Sequence, residues 1–508
     1  MTNRRALALL LTWCVVGAIL RCVPGTTVLS PRPAQNDFFN PIPGAWALAS
    51  GLKIHADFSS AMGPAYYLPA LMALEVFGPT LRIINQGNAA IFVGVSVLAF
   101  LLLKPPRFPW PICALGVGLS SLLAANPVYF CESPLVVSEG SVNWFPIGLS
   151  CLCLLAPLSR TRKMSDAALL AGILAWLTFY KLNYLVVGAG YILIALITAW
   201  HSSRTCWLKF LLWLTGFYVL AAIAFVVWFH IDLAAMFRDI QMASAARCEF
   251  VFSAFPQSDF HGVARHGWPA VGLHLFRTLA ANLIELLLIG LLLLWSKSRE
   301  SARLAVAVLA VDLVQNWFNT YASSLPALPL IWLCLAALLR PGFPRFLASV
   351  AVGIHLLILS SGYLAAFIYN LKPPPIETVH REGARMLYLE PDGAYAHQLN
   401  EGLDLLRETD RTNSAIAVLD TFNLFPYLLR IPPPKGQSCW YFAEATYNNE
   451  YRLPSGILFG QVQTLMIPKH PSSEMELQTL SLLNHRYLKT NFVFYAENDG
   501  WSVWVRNP

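Results

Sequence analysis

Apolar residues fill this chain in long runs, and short segments between the runs hold most of the charge. Eleven runs predict helices crossing a hydrocarbon layer of about 30 Å. They are 6–23, 82–103, 109–126, 142–158, 166–180, 184–200, 208–229, 270–295, 303–321, 325–339 and 345–369. The stretch 166–200 is too long for one span and carries Lys181 and Asn183 at its centre, so it predicts two short helices meeting in a tight turn. The run Ala65–Gly78 has only 14 residues, the length of an interfacial or re-entrant helix. It closes a long polar connection, 24–81, between the first two spans.

The charges orient these runs. The start, M-T-N-R-R followed by Ala6–Leu20, has the outline of a signal peptide, but no A-x-A-type cleavage site follows. It predicts an uncleaved first span with the N-terminus in the cytoplasm. Fourteen Lys and Arg then fall in cytoplasmic segments, at Arg4–Arg5, Lys104–Arg107, Arg160–Lys163, Arg204–Lys209, Lys297–Arg303 and Arg340–Arg345. The short outer loops 127–141 and 322–324 hold none, as the positive-inside rule requires. The long outer segments are 24–81 and 230–269. An odd number of spans places the C-terminus outside.

From Lys372-Pro-Pro-Pro375 the pattern changes, since consecutive prolines end a helix and stiffen a linker. The expected organisation is a membrane domain over 1–371 and an exterior α/β domain over 372–508. Within the latter, Glu377–Arg411 and Ser473–Lys489 carry helical patterns. Ser414–Leu419 and Val462–Ile467 read as strands, Phe422–Leu429 as a helix, and Phe492–Tyr495 with Trp501–Val505 as a hairpin.

Composition agrees with a multi-span membrane protein. The 508 residues are 56% hydrophobic and only 12% charged, against about 25% charged in soluble domains. The net charge of +7 is the cytoplasmic-loop bias and no nucleic-acid signal. The ten Cys give no disulfide framework, and most sit in apolar runs as small hydrophobes.

Chemistry concentrates in the outer loops. Asp37 and Asp57 lie 20 residues apart in the first one. A partly desolvated carboxylate there is expected to have a raised pKa and to act as a base; the competing reading is two solvated loop acids or turn caps. Lys181 at a membrane helix end either snorkels or holds a phosphate. Arg238, Arg247 and Arg265, in 230–269, either clamp a phosphate or face anionic lipid. Glu132 and Glu139 of the second outer loop, with Asp37, offer oxygen ligands suited to Mg or Mn. His55, beside Asp57, is a candidate acceptor contact, metal ligand or proton relay. Asp312 lies mid-span, where an acid serves function or an interhelical hydrogen bond.

The order of these signals resembles the GT-C superfamily of membrane glycosyltransferases, which includes protein O-mannosyltransferases and lipid A aminoarabinose transferases. The matching residues are Asp37, Ala47-Leu48-Ala49-Ser50-Gly51, Asp57-Phe58, Gly63-Pro64 and Phe77-Gly78. Gly172–Lys181 and Tyr321–Pro329 add two later matches. The chain departs from the family at Asp37-Phe38-Phe39 and Ala61-Met62-Gly63-Pro64. The resemblance implies a polytopic α-helical fold of about eleven spans with a C-terminal soluble α/β domain. It implies transfer of a sugar from a polyprenyl-phosphate donor to a lipid, glycan or protein acceptor at the outer face of a bacterial inner membrane. Asp37 would be the base, assisted by Asp57, with Lys181, Arg247 and Arg265 on the donor phosphate. The rivals are a lipid-linked glycan transporter, which predicts charges in span centres and internal repeats, and a membrane scaffold with an exterior binding domain.

Overall fold

The computed structural model describes residues 3–22, 26–27, 40–80, 83–104, 107–125, 141–158, 163–198, 204–252, 279–280, 282–319, 327–371, 387–388, 394–443, 446–471 and 474–507. Most of them are helical. In chain order the first helices are α1 (Asn3–Cys22), α2 (Pro41–Ala49), α3 (Pro64–Phe77), α4 (Ile83–Leu103), α5 (Trp110–Ala124), α6 (Ser141–Leu155) and α7 (Met164–Tyr180). They continue with α8 (Asn183–Thr198), α9 (Arg204–Trp228), α10 (Leu233–Phe252), α11 (Leu283–Ser296), α12 (Arg299–Asn319), α13 (Ala327–Leu338) and α14 (Phe343–Leu371). Each apolar run expected to span overlaps one of them, the first part of the run 270–295 lying outside the described residues. Among the described residues four stretches are long and apolar enough to cross a membrane: Arg5–Cys22, Ile83–Leu103, Leu208–Trp228 and Phe343–Ser360. Shorter apolar helices accompany them. The expected break at 181–183 is real: α7 and α8 are separated by Lys181 and Leu182.

The helices pack α1 on α4, α4 on α5, α5 on α6, α7 on α9 and α13 on α14. Their facing sides form one apolar core, while Leu208, Leu212, Leu220, Ile223, Leu291 and Leu357 point outward from it. Two predicted cytoplasmic segments meet directly. Asp166 caps α7 by accepting the Lys163 N–H at 3.0 Å, and its other oxygen pairs with Arg107 at 2.5 Å. Arg345 closes the end of α13, donating to the carbonyls of Ala336 at 2.8 Å and Ala337 at 3.0 Å.

The C-terminal part carries α15 (Ala394–Glu408), α16 (Phe425–Leu429), α17 (Ser455–Phe459) and α18 (Glu474–Asn491). Two short strands, β1 (Thr26–Thr27) and β2 (Leu387–Tyr388), pair in parallel. The main sheet runs β3 (Ile416–Val418), β4 (Thr464–Pro468), β6 (Trp501–Arg506), β5 (Phe492–Glu497). β3 and β4 are parallel, and the other pairs are antiparallel, with a bulge between Phe494 and Ala496. The β5–β6 turn is built by Asn498, whose Oδ1 accepts the N–H groups of Gly500 at 3.2 Å and Trp501 at 2.9 Å. The expected proline boundary, 372–375, lies outside the described residues. The apolar core continues from the helices into Leu403, Ile416, Phe425 and Val503. Trp46 on α2 donates to the Ile431 carbonyl at 2.7 Å, and Tyr427 on α16 donates to the Thr80 carbonyl at 2.6 Å.

Candidate functional site

Residues 50–63 link α2 to α3 in a compact loop. Gly51 turns the chain with φ +83°, a backbone region open to glycine at little cost. The Lys53 N–H donates to Asp57 Oδ2 at 2.9 Å, and the Asp57 N–H donates back to the Lys53 carbonyl at 2.7 Å. The two bonds close a small ring that His55 bridges in the left-handed region, φ +67°. Asp57 also faces outward from this ring. Its Oδ1 pairs with Lys435 Nζ at 2.9 Å, and its carbonyl accepts the Gly436 N–H at 2.7 Å. Gly436 has φ +86°, and a Cβ there would meet the Ile457 carbonyl oxygen at 2.0 Å. The pairing extends: the Ser59 N–H donates to the Gln437 carbonyl at 3.0 Å, and the Cys439 N–H to the Ser59 carbonyl at 3.3 Å.

This environment corrects one expectation. Burial pushes the Asp57 carboxyl up, but the Lys53 N–H and the Lys435 ammonium together outweigh it and hold the carboxyl below its usual range. Both oxygens are engaged. Asp57 is the organiser of a turn and a link to the C-terminal part, and its basicity is lowered where the sequence pointed to a rise.

The opposite side of the loop is bound to α10. His55 is 1% exposed, and its Nδ1 lies 3.0 Å from Asp239 Oδ2. A carboxylate accepts, so Nδ1 carries the hydrogen. The same Oδ2 accepts the Ser60 N–H at 3.2 Å, and Oδ1 accepts from Arg238 at 3.2 Å. Arg238 also donates to the His55 carbonyl at 3.3 Å, while its side chain remains 59% exposed. Among the described residues His55 Nε2, a buried atom, has no hydrogen-bond partner. Ser60 Oγ shares a 2.7 Å hydrogen bond with the Tyr67 hydroxyl and accepts the Met62 N–H at 3.0 Å.

Lys181 comes to the same loop through backbone contact. The Gly63 N–H donates to the Tyr180 carbonyl at 3.1 Å. A Cβ on Gly63 would meet the Phe179 carbonyl oxygen at 2.0 Å, so only glycine permits this approach. Lys181 is half-buried, with its Nζ 6.0 Å from the centre of the Tyr184 ring. Tyr66 stacks edge-on against Tyr180 at 5.4 Å.

Of the residues expected from sequence, Asp57 and His55 lie on one loop, and Lys181 directly follows Tyr180, whose carbonyl that loop contacts. Asp37, Glu132, Glu139 and Arg265 lie outside the described residues. Arg247 lies on α10, within a stretch whose side chains are outside the description. Among the described residues no group of three or more His, Cys, Asp or Glu is placed to hold a metal. Asp239 and Lys435 were missed. Asp239 sits inside an outer segment read for its arginines, and its partner is 184 positions away. The available signal was its position directly after Arg238. Lys435 follows a proline run with no motif around it.

No family model matches the chain, and no curated protein matches it. Among solved structures the chain is similar to ArnT from Cupriavidus metallidurans bound to undecaprenyl phosphate, with 11% identity and a TM-score of 0.39 over 100% of both chains. It is also similar to the apo state of that ArnT, with 13% identity and a TM-score of 0.38 over 99% of this chain and 100% of the other.

Proposed function

We propose that this chain is a membrane glycosyltransferase that takes a sugar from a polyprenyl-phosphate donor at the outer face of the membrane. The observation that carries the reading is the junction itself. The first outer loop, α10 and segment 435–439 converge in a polar, largely buried cluster beside the turn that holds Lys181. All three were expected on the outer side, the two loops from the charge pattern and the C-terminal segment from the odd number of spans. A polar site at the end of apolar helices, with His55 and Asp239 buried and Arg238 exposed, suits a substrate with a lipid tail and a charged head.

In this reading an acceptor hydroxyl attacks the sugar's anomeric carbon. The bond from that carbon to the phosphate oxygen breaks, and polyprenyl phosphate leaves with one more negative charge. The acceptor's proton passes to Asp37 and then to water. Lys181 and Arg238 balance the charge that develops on the phosphate, since fixed cations act strongly in a water-poor site. Arg238 is suited to this because Asp239 and the His55 carbonyl hold its guanidinium while its head stays exposed. Arg247 and Arg265 keep their proposed place on the same segment, and Glu132 and Glu139 theirs on the acceptor or a divalent metal. Asp57 holds the loop.

Purified protein supplied with radiolabelled polyprenyl-phosphate sugars and membrane acceptors tests the reading. Turnover is expected, falling about 10²–10⁴-fold in Asp37→Asn at unchanged expression. A loss of about 10²-fold or more is expected in Lys181→Ala. Full activity in Asp37→Asn would remove that residue as the base, and no label transfer by the wild type would remove the reading.

A further inference from the structure

The C-terminal part holds a buried carboxylate that the proposed reaction does not use. Glu476, in the first turn of α18, is 0% exposed. Its Oε1 accepts the Ala443 N–H at 3.3 Å, and its Oε2 is buried with no hydrogen-bond partner among the described residues. Asp420, 4% exposed just beyond β3 and with Oδ1 on the Thr421 N–H at 2.7 Å, adds a repulsion that opposes the Glu476 charge. A carboxyl buried in this way, with one oxygen unpaired, favours its protonated form.

The group Glu476 holds is not an isolated loop. From Ala443 the chain runs back through Tyr441, whose N–H donates to the Thr421 carbonyl at 2.9 Å, to Cys439 and Ser438. Ser438 forms a parallel bridge with Ser59 of the site loop. Three residues separate Cys439, bonded to Ser59, from Ala443, bonded to Glu476. A cavity of about 30 Å³ lies along this path, lined by Ser59, Ser438, Tyr441, Tyr447, Leu480 and Asn484. Packing beside a void yields more readily than packing in a filled core.

We infer that Glu476 is a proton-dependent latch that holds segment 437–443 against the site loop at residues 57–59. Protonated Glu476 fits its apolar surroundings and keeps Ala443 in place. When it ionises, a buried charge is left with Oε2 unpartnered among the described residues, segment 437–443 loosens, and the contact with Ser59 loosens with it. Burial, with Asp420 adding to it, pushes the Glu476 carboxyl up to about 7 against the backbone N–H groups that favour its charge. The transition therefore falls near neutral pH. The nearby phenol and thiol do not titrate there: burial holds Tyr441 and Cys439 well above their usual ranges. Tyr447 and Glu444 are the other titratable groups of this stretch of sequence, Glu444 lying outside the described residues, and Glu474, on the outer side of α18, is exposed. The latch does not depend on the transferase reading, because it is read from backbone protection.

Hydrogen–deuterium exchange of the full chain tests it, from pH 5.5 to 8.5, with exposure times corrected for the intrinsic pH dependence of amide exchange. In the wild type, exchange of 437–443 and 57–60 should accelerate about tenfold or more as pH rises, with a midpoint near neutrality. Glu476→Gln should stay protected throughout, because its amide carries no charge. Asp420→Asn should move the midpoint to lower pH by removing that repulsion. Flat exchange in the wild type, or a wild-type midpoint retained in Asp420→Asn, would overturn the latch even if Glu476→Gln failed to fold. The same holds if Glu476→Gln folds and keeps the wild-type pH response.

Discussion

The site loop is held at two edges by two acids in opposite surroundings. Asp239, 1% exposed, receives His55, the Ser60 N–H and Arg238 on its two oxygens. Asp57, with a side chain 20% exposed, receives the Lys53 N–H and a lysine that is itself 52% exposed. Both edges look alike as a list of hydrogen bonds. They differ in what is left behind when the acid is removed. At the Asp57 edge water can replace the lost partner. At the Asp239 edge two buried donors would have none.

The largest test of that contrast is Asp239→Ala. It strands the His55 Nδ1–H and the Ser60 N–H in a buried place, and the expected loss is about 3–5 kcal/mol of stability. Thermal unfolding in detergent or nanodiscs measures it. A loss below about 1 kcal/mol would mean that water already reaches this edge and that the two edges are equivalent. Asp239→Asn should be milder, since the amide oxygen can still accept one of the two hydrogens.

Gly63→Ala probes the floor of the same loop. The new methyl would fall 2.0 Å from the Phe179 carbonyl oxygen, a backbone atom that cannot swing aside. The loop must separate from α7, at about 1–3 kcal/mol for the overpacked contact. Because Tyr180 and Lys181 lie at that seam, the variant should also lose donor turnover beyond what its stability loss explains. Unchanged melting and turnover would show that the Gly63–Tyr180 bond is incidental to the site.

The sequence made the helices legible because each span is one apolar run bounded by charge, proline or glycine. Lys181 and Asn183 marked the α7–α8 break for the same reason. A polar residue in the middle of an over-long run has a single physical solution. The β5–β6 hairpin was equally readable from Asn498-Asp499-Gly500. Inside the outer segments the periodic signal fails. Pro41–Ala49 is a helix within a segment read as a polar connection, and Leu233–Phe252 is a helix within a segment read as an outer loop. The site was legible only where a side chain stands out against apolar neighbours, as Asp57 and His55 do. The His55–Asp239 pair joins positions 184 apart, and nothing local to either residue specifies the other. Asp57 was noticed, but its lowered basicity rests on the local Lys53 N–H together with Lys435, which folding brings from 378 positions away.

The smallest expected effect belongs to that last contact. Lys435→Ala removes a half-exposed ion pair, which contributes at most about 1 kcal/mol once solvent screening is allowed for. Its pH dependence is more informative than its size. The Asp57 carboxyl is held below its ordinary value in the folded chain, so its contribution is present above the unfolded carboxylate range, near pH 4. That contribution disappears as pH falls through the folded value. The stability difference between wild type and Lys435→Ala should thus be constant from pH 6 to 8, shrink below about pH 4, and diminish with added salt. The loop's other edge offers the internal control: the effect of Asp239→Ala, resting on buried hydrogen bonds, should barely respond to salt. If both differences fall together with ionic strength, the buried edge is solvated and the contrast between the two acids is lost.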